Sequence, residues 1–149
     1  MTPIAEGRFA KSFDSLAAVF AFLEGAFARI TGNPEYLQTF ALAVEEFFTN
    51  MVKYHPEGKS PIGVKVLLDG TELSILLADS GVEPYDVTQA PEPDLEAPLG
   101  DRRVGGLGIH LSKALLDGIE YQHRDGTSFV TLKKNLEPSD VLNQQERQG

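Results

Sequence analysis

The sequence predicts an α+β protein, a two-layer sandwich in which a mixed, mostly antiparallel sheet carries its helices on one face. Two pairs of apolar segments flank the turn dipeptides Asp69-Gly70 and Asp125-Gly126, and such turns join antiparallel neighbours. Segments with helical periodicity precede each pair, so the expected order is β-α-α-β-β-loop-α-β-β. Because an amphipathic helix and a half-apolar sheet each bury one face, the two kinds of element are expected to pack as layers.

The strands are identified by the alternation of apolar and polar residues with a period of two. Phe9, Lys11 and Phe13 alternate with other residues in the first segment, and the later segments are rich in Val, Ile and Leu. The predicted strands span residues 8–13, 64–68, 73–77, 119–123 and 129–133.

Two consecutive helices are predicted before the first pair of strands, and a third after the glycine-rich turn at 105–108. The first carries an apolar stripe at helical spacing and ends at Gly32. The second begins at the N-cap Asn33, with Pro34 in its first turn, and runs to about residue 53. At about 100° per residue, its apolar stripe leaves a polar set on the other side. That set comprises Glu46, Asn50 and Lys53.

Length and composition indicate one globular domain. The chain has 149 residues, 42% of them hydrophobic, and we expect a domain over residues 1–136 followed by a polar, disordered tail over residues 137–149. It has no cysteine, which excludes disulfides and thiolate chemistry. No apolar run approaches the roughly 20 residues that cross a bilayer. The N-terminus lacks the pattern of a secretory signal, so we expect a cytoplasmic protein without membrane association.

The formal net charge of −9 argues against direct binding to nucleic acid, whose partners carry basic patches. An acidic chain can still bind a nucleotide when backbone N–H groups and Mg²⁺ meet the phosphates. The three histidines show no metal-ligand spacing.

The first motif is the pair Glu46 and Asn50, one helical turn apart. Side chains at this spacing can converge on one ligand. The amide oxygen of Asn50 suits Mg²⁺, and Glu46 can take a proton from a hydroxyl that attacks a phosphoryl group. The alternative is a solvated outer face of an amphipathic helix.

The second motif, Asp79-Ser80-Gly81, follows an apolar strand. A carboxylate there can accept a hydrogen bond from an exocyclic amine, while Gly81 lets a flat base approach the backbone. The alternative is an ordinary turn that ends a strand.

The third motif, Gly105-Gly106-Leu107-Gly108, opens an apolar helix. Free N–H groups and the positive end of the helix dipole favour anions at such a turn. Arg103 and its neighbour Arg102 precede it, where a guanidinium can reach a γ-phosphate. The alternatives are a flexible entry to a helix and two solvated arginines.

Taken as an ordered set, these motifs resemble the GHKL (histidine-kinase-like) ATP-binding fold shared by histidine kinases and DNA gyrase. Residues 46–50 correspond to its N-box, 79–81 to its first glycine box and 105–108 to its second, and Gly126-Thr127 matches a later Gly-Thr element. More narrowly, the chain resembles the bacterial anti-sigma-factor serine/threonine protein kinases over about residues 8–135.

The resemblance implies roles for individual residues. Glu46 would be the general base, Asn50 would hold Mg²⁺, and Asp79 would bind the adenine amine of ATP with support from Thr127. Residues 82–104 would form the ATP lid. The nucleotide-binding residues that it implies are Asn50, Lys53, Asp79, Gly81, Arg103, Gly105, Gly106, Leu107, Gly108 and Thr127.

The resemblance also implies partners. The expected substrate is a serine or threonine on a STAS-domain anti-anti-sigma protein, and the expected sequestered partner is a sigma factor or another response regulator protein. The family is typically homodimeric. Two alternatives stay open: a catalytically weak ATP-sensing module that sequesters its partner without phosphorylation, and an interaction domain that binds no nucleotide.

Overall fold

The computed structural model describes residues 3–54, 60–82 and 106–142, with the backbone alone for residues 54, 106 and 107. These residues form a five-stranded sheet and three α-helices. The predicted α+β sandwich is confirmed, and every strand pairing within the described residues is antiparallel. The elements are β1 (Ala5–Phe9), α1 (Leu16–Ala28), α2 (Pro34–Tyr54), β2 (Ile62–Asp69), β3 (Glu72–Ser80), α3 (Gly106–Leu115), β4 (Gly118–Arg124) and β5 (Thr127–Asn135).

The sheet has the strand order β1-β2-β3-β5-β4. Both predicted hairpins are present, and their turns use residues that tolerate positive φ: Gly70 at 63°, Asp125 at 53° and Gly126 at 76°. Because β5 returns between β3 and β4, the end of β3 lies beside the start of β5. The register pairs Asp79 with Ser128 and Ser80 with Thr127.

One face of the sheet is covered by the helices. Burial alternates along β3 and β5, and the inward side chains join apolar residues of all three helices in one core. The sequence-predicted stripe of α2 is broader than expected, since Phe47 and Phe48 are both fully buried. No helix in the described parts of the chain is long and apolar enough to span a membrane.

The segment after β1 differs from the prediction. The expected strand over residues 8–13 ends at Phe9, and a 3-10 helix occupies Phe13–Ser15. Ser12 caps this helix, because its Oγ accepts a hydrogen bond from the backbone N–H of Asp14 at 3.2 Å. The local hydrogen bond between the side chain of Ser12 and the backbone therefore favours a 3-10 helix over the strand that the alternation predicted.

The tail that was expected to be disordered from residue 137 is folded at least as far as Leu142. A 3-10 helix spans Pro138–Asp140, and the N–H of Leu142 donates to the carbonyl of Ile30 at 2.8 Å. The hydroxyl of Tyr36 donates to Asp140 Oδ2 at 2.8 Å and accepts from the N–H of Glu137 at 3.0 Å. Residues 143–149 lie outside the described residues.

Replacement of Tyr36 by Phe tests this attachment. The Phe variant keeps the buried ring but loses both hydrogen bonds, so we expect the free energy of unfolding to fall by about 1–2 kcal/mol. Chemical denaturation of Tyr36→Phe measures this loss, with Gln38→Ala, which changes an exposed side chain of the same helix, as the control. Equal stability of Tyr36→Phe and the wild type would show that these two hydrogen bonds contribute nothing to folding.

Candidate functional site

The first half of the site lies at the end of β3, where Asp79 is fully buried on the helix-covered side of the sheet. Lys11 Nζ lies 2.8 Å from Asp79 Oδ1, and the two side chains are 6% and 0% exposed. Lys11 comes from the segment that follows β1. It was missed as a site residue, because the alternation Phe9, Lys11, Phe13 suggested a continuous strand, whereas the strand ends at Phe9 and Phe13 is exposed.

The turn after Asp79 is fastened to the β4–β5 hairpin. Gly81 has a φ of 72°, a conformation that favours glycine, and its N–H donates to the carbonyl of Gly126 at 2.8 Å. The N–H of Val82 donates to the same carbonyl at 3.1 Å. His123 Nε2 lies 2.9 Å from the carbonyl oxygen of Val82. The turn is therefore held in place by the β4–β5 hairpin turn and by His123 of β4.

Thr127 does not share the face of Asp79. It pairs with Ser80, and its Oγ1 donates to Ser80 Oγ at 3.4 Å. The residue opposite Asp79 on the same face is Ser128, which is buried. The inward phase of β5 is set by Val130 and Leu132, so the period of two puts Ser128 on the core side. The phase of these apolar residues was the signal that sequence reasoning missed.

The second half of the site lies on α2. Asn50 is 3% exposed and Glu46 is half-buried, so these residues are not part of a solvated outer face. Glu46 Oε1 and Asn50 Oδ1 are both buried, and neither has a hydrogen-bond partner among the described residues. A buried acceptor without a partner costs about 1–3 kcal/mol. Two of them one turn apart indicate a place built for a donor or a cation. Lys53, one turn further on, is exposed.

The start of α3 packs closely against Glu46. A Cβ at Gly108 would lie 2.5 Å from Glu46 Cδ and 2.9 Å from Glu46 Cγ, so a side chain at position 108 cannot be accommodated without movement. Ser112 Oγ donates to the carbonyl of Gly108 at 2.8 Å and braces the turn. The first and third sequence motifs thus meet in space. Gly106 begins the helix, and only its backbone and that of Leu107 are described, while Gly105 and Arg103 lie outside the described residues.

The environment of Glu46 raises the pKa of its carboxyl group above the ordinary value. Burial, which disfavours the charged form, is the largest cause. The positive charge of Lys53 lowers the pKa, and the negative charge of Glu45 raises it further. A carboxylate with a raised pKa is a stronger base, which suits a group that accepts a proton.

The side-chain oxygens at this site suit a cation that takes few of its ligands from the protein. Mg²⁺ is usually bound through one or two side-chain oxygens together with water and phosphate oxygens. Asn50 Oδ1 offers such an oxygen at a buried position. Within residues 3–54, 60–82 and 106–142, no group of three or more His, Cys, Asp or Glu side chains could hold a metal ion.

The comparisons with known proteins agree with this geometry. A model of the family described as histidine kinase-like ATPase domain matches residues 9–134. The chain is 28% identical to the serine-protein kinase RsbW of Listeria monocytogenes over 124 residues, which cover 74% of each chain. It is 25% identical to the protein of the same name from Staphylococcus aureus over 150 residues, which cover 95% of this chain and 92% of that one.

A solved structure shares the fold. The crystal structure of the RsbU and RsbW domains of Rv1364c from Mycobacterium tuberculosis superposes with a TM-score of 0.63 at 18% identity. The match covers 91% of this chain and 32% of that longer chain.

Replacement of Gly108 by Ala tests the close approach of α3 to Glu46. The added Cβ must displace the Glu46 carboxylate, which lies at the end of a flexible side chain, so this cost should cancel the gain that alanine brings to a helix. The matched control is Gly25→Ala in α1, where a Cβ meets no described atom within 4 Å. Since alanine favours a helix, Gly25→Ala should gain about 0.5–1 kcal/mol in the free energy of unfolding, measured by chemical denaturation. A Gly108→Ala variant that gains as much stability as Gly25→Ala would contradict the contact.

The raised pKa of Glu46 predicts a pH-dependent difference between the wild type and Glu46→Gln. In the folded state the carboxyl group of Glu46 keeps its proton at pH values above its ordinary pKa of 4.5. The stability from protonated Glu46 is therefore complete below that value and is lost as the pH rises through the raised pKa. Urea denaturation between about pH 4 and 8 should show the wild type losing stability relative to Glu46→Gln. Glu24→Gln, at an exposed position, is the control for removal of a charge. If the wild type instead gained stability relative to Glu46→Gln as the pH rises, the effect of burial on Glu46 would be contradicted.

Proposed function

Because the chain belongs to the histidine kinase-like ATPase domain family, we propose that it is an Mg-ATP-dependent serine/threonine protein kinase of the anti-sigma-factor type. Relatives named serine-protein kinase RsbW, 25% to 28% identical over 74% to 95% of the chain, support this class of activity. The observation that carries the proposal is the pair of buried acceptors on Glu46 and Asn50, together with the close approach of Gly108 to the Glu46 side chain.

Glu46 acts as the general base in this proposal. Phosphoryl transfer to a serine requires that the hydroxyl lose its proton as the phosphorus–oxygen bond forms. The half-buried carboxylate has its pKa raised by burial, so it accepts that proton more readily than an exposed glutamate does. Its contact with Gly108 holds it beside the first turn of α3, where backbone N–H groups attract phosphate. Transfer then depends on positioning and on charge stabilisation.

Asn50 holds the metal. Its buried Oδ1 supplies a neutral oxygen, and Mg²⁺ when bound neutralises charge on the phosphates. The exposed ammonium of Lys53, one turn along α2, adds positive charge at the same side of the helix. We assign Arg103 and the glycine turn at 105–108 to the phosphates as the sequence suggests, with Gly106 and Gly108 at the N-terminus of α3.

Asp79 receives the base. A carboxylate accepts a hydrogen bond from the exocyclic amine of adenine, and Gly81 leaves the adjacent backbone open to a flat ring. The register places Ser128 opposite Asp79 on the same face, so we assign to Ser128 the supporting role expected of Thr127. Residues 82–104, expected as the lid, lie outside the described residues apart from Val82.

The partners follow from the same class of kinase. We propose that the substrate is a STAS-domain anti-anti-sigma protein, that the sequestered partner is a sigma factor or related regulator, and that the switch operates in the cytoplasm. A homodimer is part of the proposal. The sheet face opposite the helices presents Leu76, Ala78 and Phe129, which offer apolar area for a second copy.

Two substitutions separate catalysis from binding. Glu46→Gln should lower the rate of phosphoryl transfer to the STAS protein by about 100-fold or more, because the base is lost, while ATP affinity stays within about threefold. Asp79→Asn should weaken ATP binding by about tenfold or more, because the amide turns a donor toward the base. Calorimetry with Mg-ATP and a radiolabelled transfer assay measure the two quantities, and Glu45→Gln, an exposed neighbour, is the control.

The outcomes distinguish the candidate functions. ATP binding without transfer in the wild type would favour an ATP-sensing module that sequesters its partner. An unchanged transfer rate in Glu46→Gln would remove Glu46 as the base. No binding of ATP by the wild type would overturn the kinase proposal and leave an interaction domain.

A further inference from the structure

The ion pair between Lys11 and Asp79 is not explained by the reaction proposed above. Lys11 Nζ lies 2.8 Å from Asp79 Oδ1 although the two residues are 68 positions apart in the chain. Both side chains are almost completely buried. A buried ion pair costs desolvation energy on both sides, so it is weak support for stability alone. Its position at the carboxylate that meets the base indicates a functional reason.

The backbone around Lys11 is held in a fixed conformation. The N–H of Ser12 donates to the carbonyl of Ala10 at 2.8 Å, and Ser15 Oγ donates to the same carbonyl at 2.7 Å. Ser12 Oγ in turn caps the following 3-10 helix through Asp14. The ammonium of Lys11 is therefore delivered to Asp79 from a pinned segment, which makes the pair a preformed part of the fold.

The pair decides what Asp79 can recognise. An ionised carboxylate only accepts hydrogen bonds, and its two oxygens together offer about four acceptor positions, so it can hold Lys11 and a further donor at once. Without a compensating cation, burial favours the neutral carboxyl group, which carries a proton that it can donate. A neutral Asp79 would thus tolerate a carbonyl group on the base as well as an amine.

We propose that Lys11 is a positioning residue of the base site, which makes Asp79 an obligate acceptor and so selects a purine with an amino group at C6 over one with a carbonyl group. The proposal rests on the proposed function, because it assigns the base to Asp79. Lys11 acts through Asp79 and is not itself required to touch the nucleotide.

The test compares the affinity for ATP with the affinity for inosine triphosphate, which carries a carbonyl group at C6. Calorimetry with Mg²⁺ on the full chain should show that the wild type prefers ATP. In Lys11→Met this preference should fall by about tenfold, the effect of one hydrogen bond to a charged group. Lys11→Arg keeps the positive charge and should retain most of the preference. Lys65→Met, which removes a half-exposed lysine 3.7 Å from Glu6, is the matched control and should behave as the wild type.

The ratio of the two affinities distinguishes the proposal from a general loss of stability, because a loss of stability lowers the affinity for both nucleotides together. A folded Lys11→Met that keeps the wild-type ratio would overturn the role of Lys11 and leave the proposed kinase intact. If the wild type and Lys65→Met bind neither nucleotide, the proposed function fails and this inference with it. Lys11→Gln, which keeps a polar head without the charge, gives the same comparison should Lys11→Met not fold.

Discussion

The close approach of α3 to α2 at Gly108 is the contact on which the candidate site depends. Because position 108 has no side chain, the first turn of α3 can rest against the Glu46 carboxylate. Oε1 of Glu46 and Oδ1 of Asn50 are both buried, and burial raises the pKa of Glu46. The absence of a side chain at position 108 therefore permits close packing of the two helices at the residue that we propose as the base.

The base-binding end of the site depends on the sheet. β5 runs between β3 and β4, so the turn after Asp79 is hydrogen-bonded to the hairpin turn at Gly126. The fully buried carboxylate of Asp79 is balanced by Lys11 from the segment after β1. Since α2 packs against both β3 and β5, the proposed metal-binding and base-binding ends of the site lie on two layers that contact each other.

Buried polar groups at both ends of the site carry a desolvation cost. At Asp79 the negative charge is compensated by the ammonium of Lys11, and at Glu46 and Asn50 two buried acceptors have no hydrogen-bond partner among the described residues. Buried acceptors without a partner are rare in native proteins and concentrate where a ligand completes them.

Local interactions determined what the sequence alone could predict about this protein. The hairpin turns at Asp69-Gly70 and Asp125-Gly126, the N-cap at Asn33 and the helix that opens at Gly106 depend on neighbouring residues, and each is found where expected. The spacing of Glu46 and Asn50 was equally predictable from the sequence. Their burial was not predictable, because it depends on tertiary packing, which includes the approach of Gly108 in α3 to Glu46.

The phase of β5, set by Val130 and Leu132, puts Ser128 opposite Asp79, where Thr127 was expected; this phase was visible in the sequence but was outweighed by a motif. Tertiary structure alone decided the remaining features. The pairing of Lys11 with Asp79 and the docking of Asp140 on Tyr36 join segments 68 and 104 positions apart. Contacts of this kind depend on which surfaces the packed layers bring together, and no local pattern in the chain specifies them.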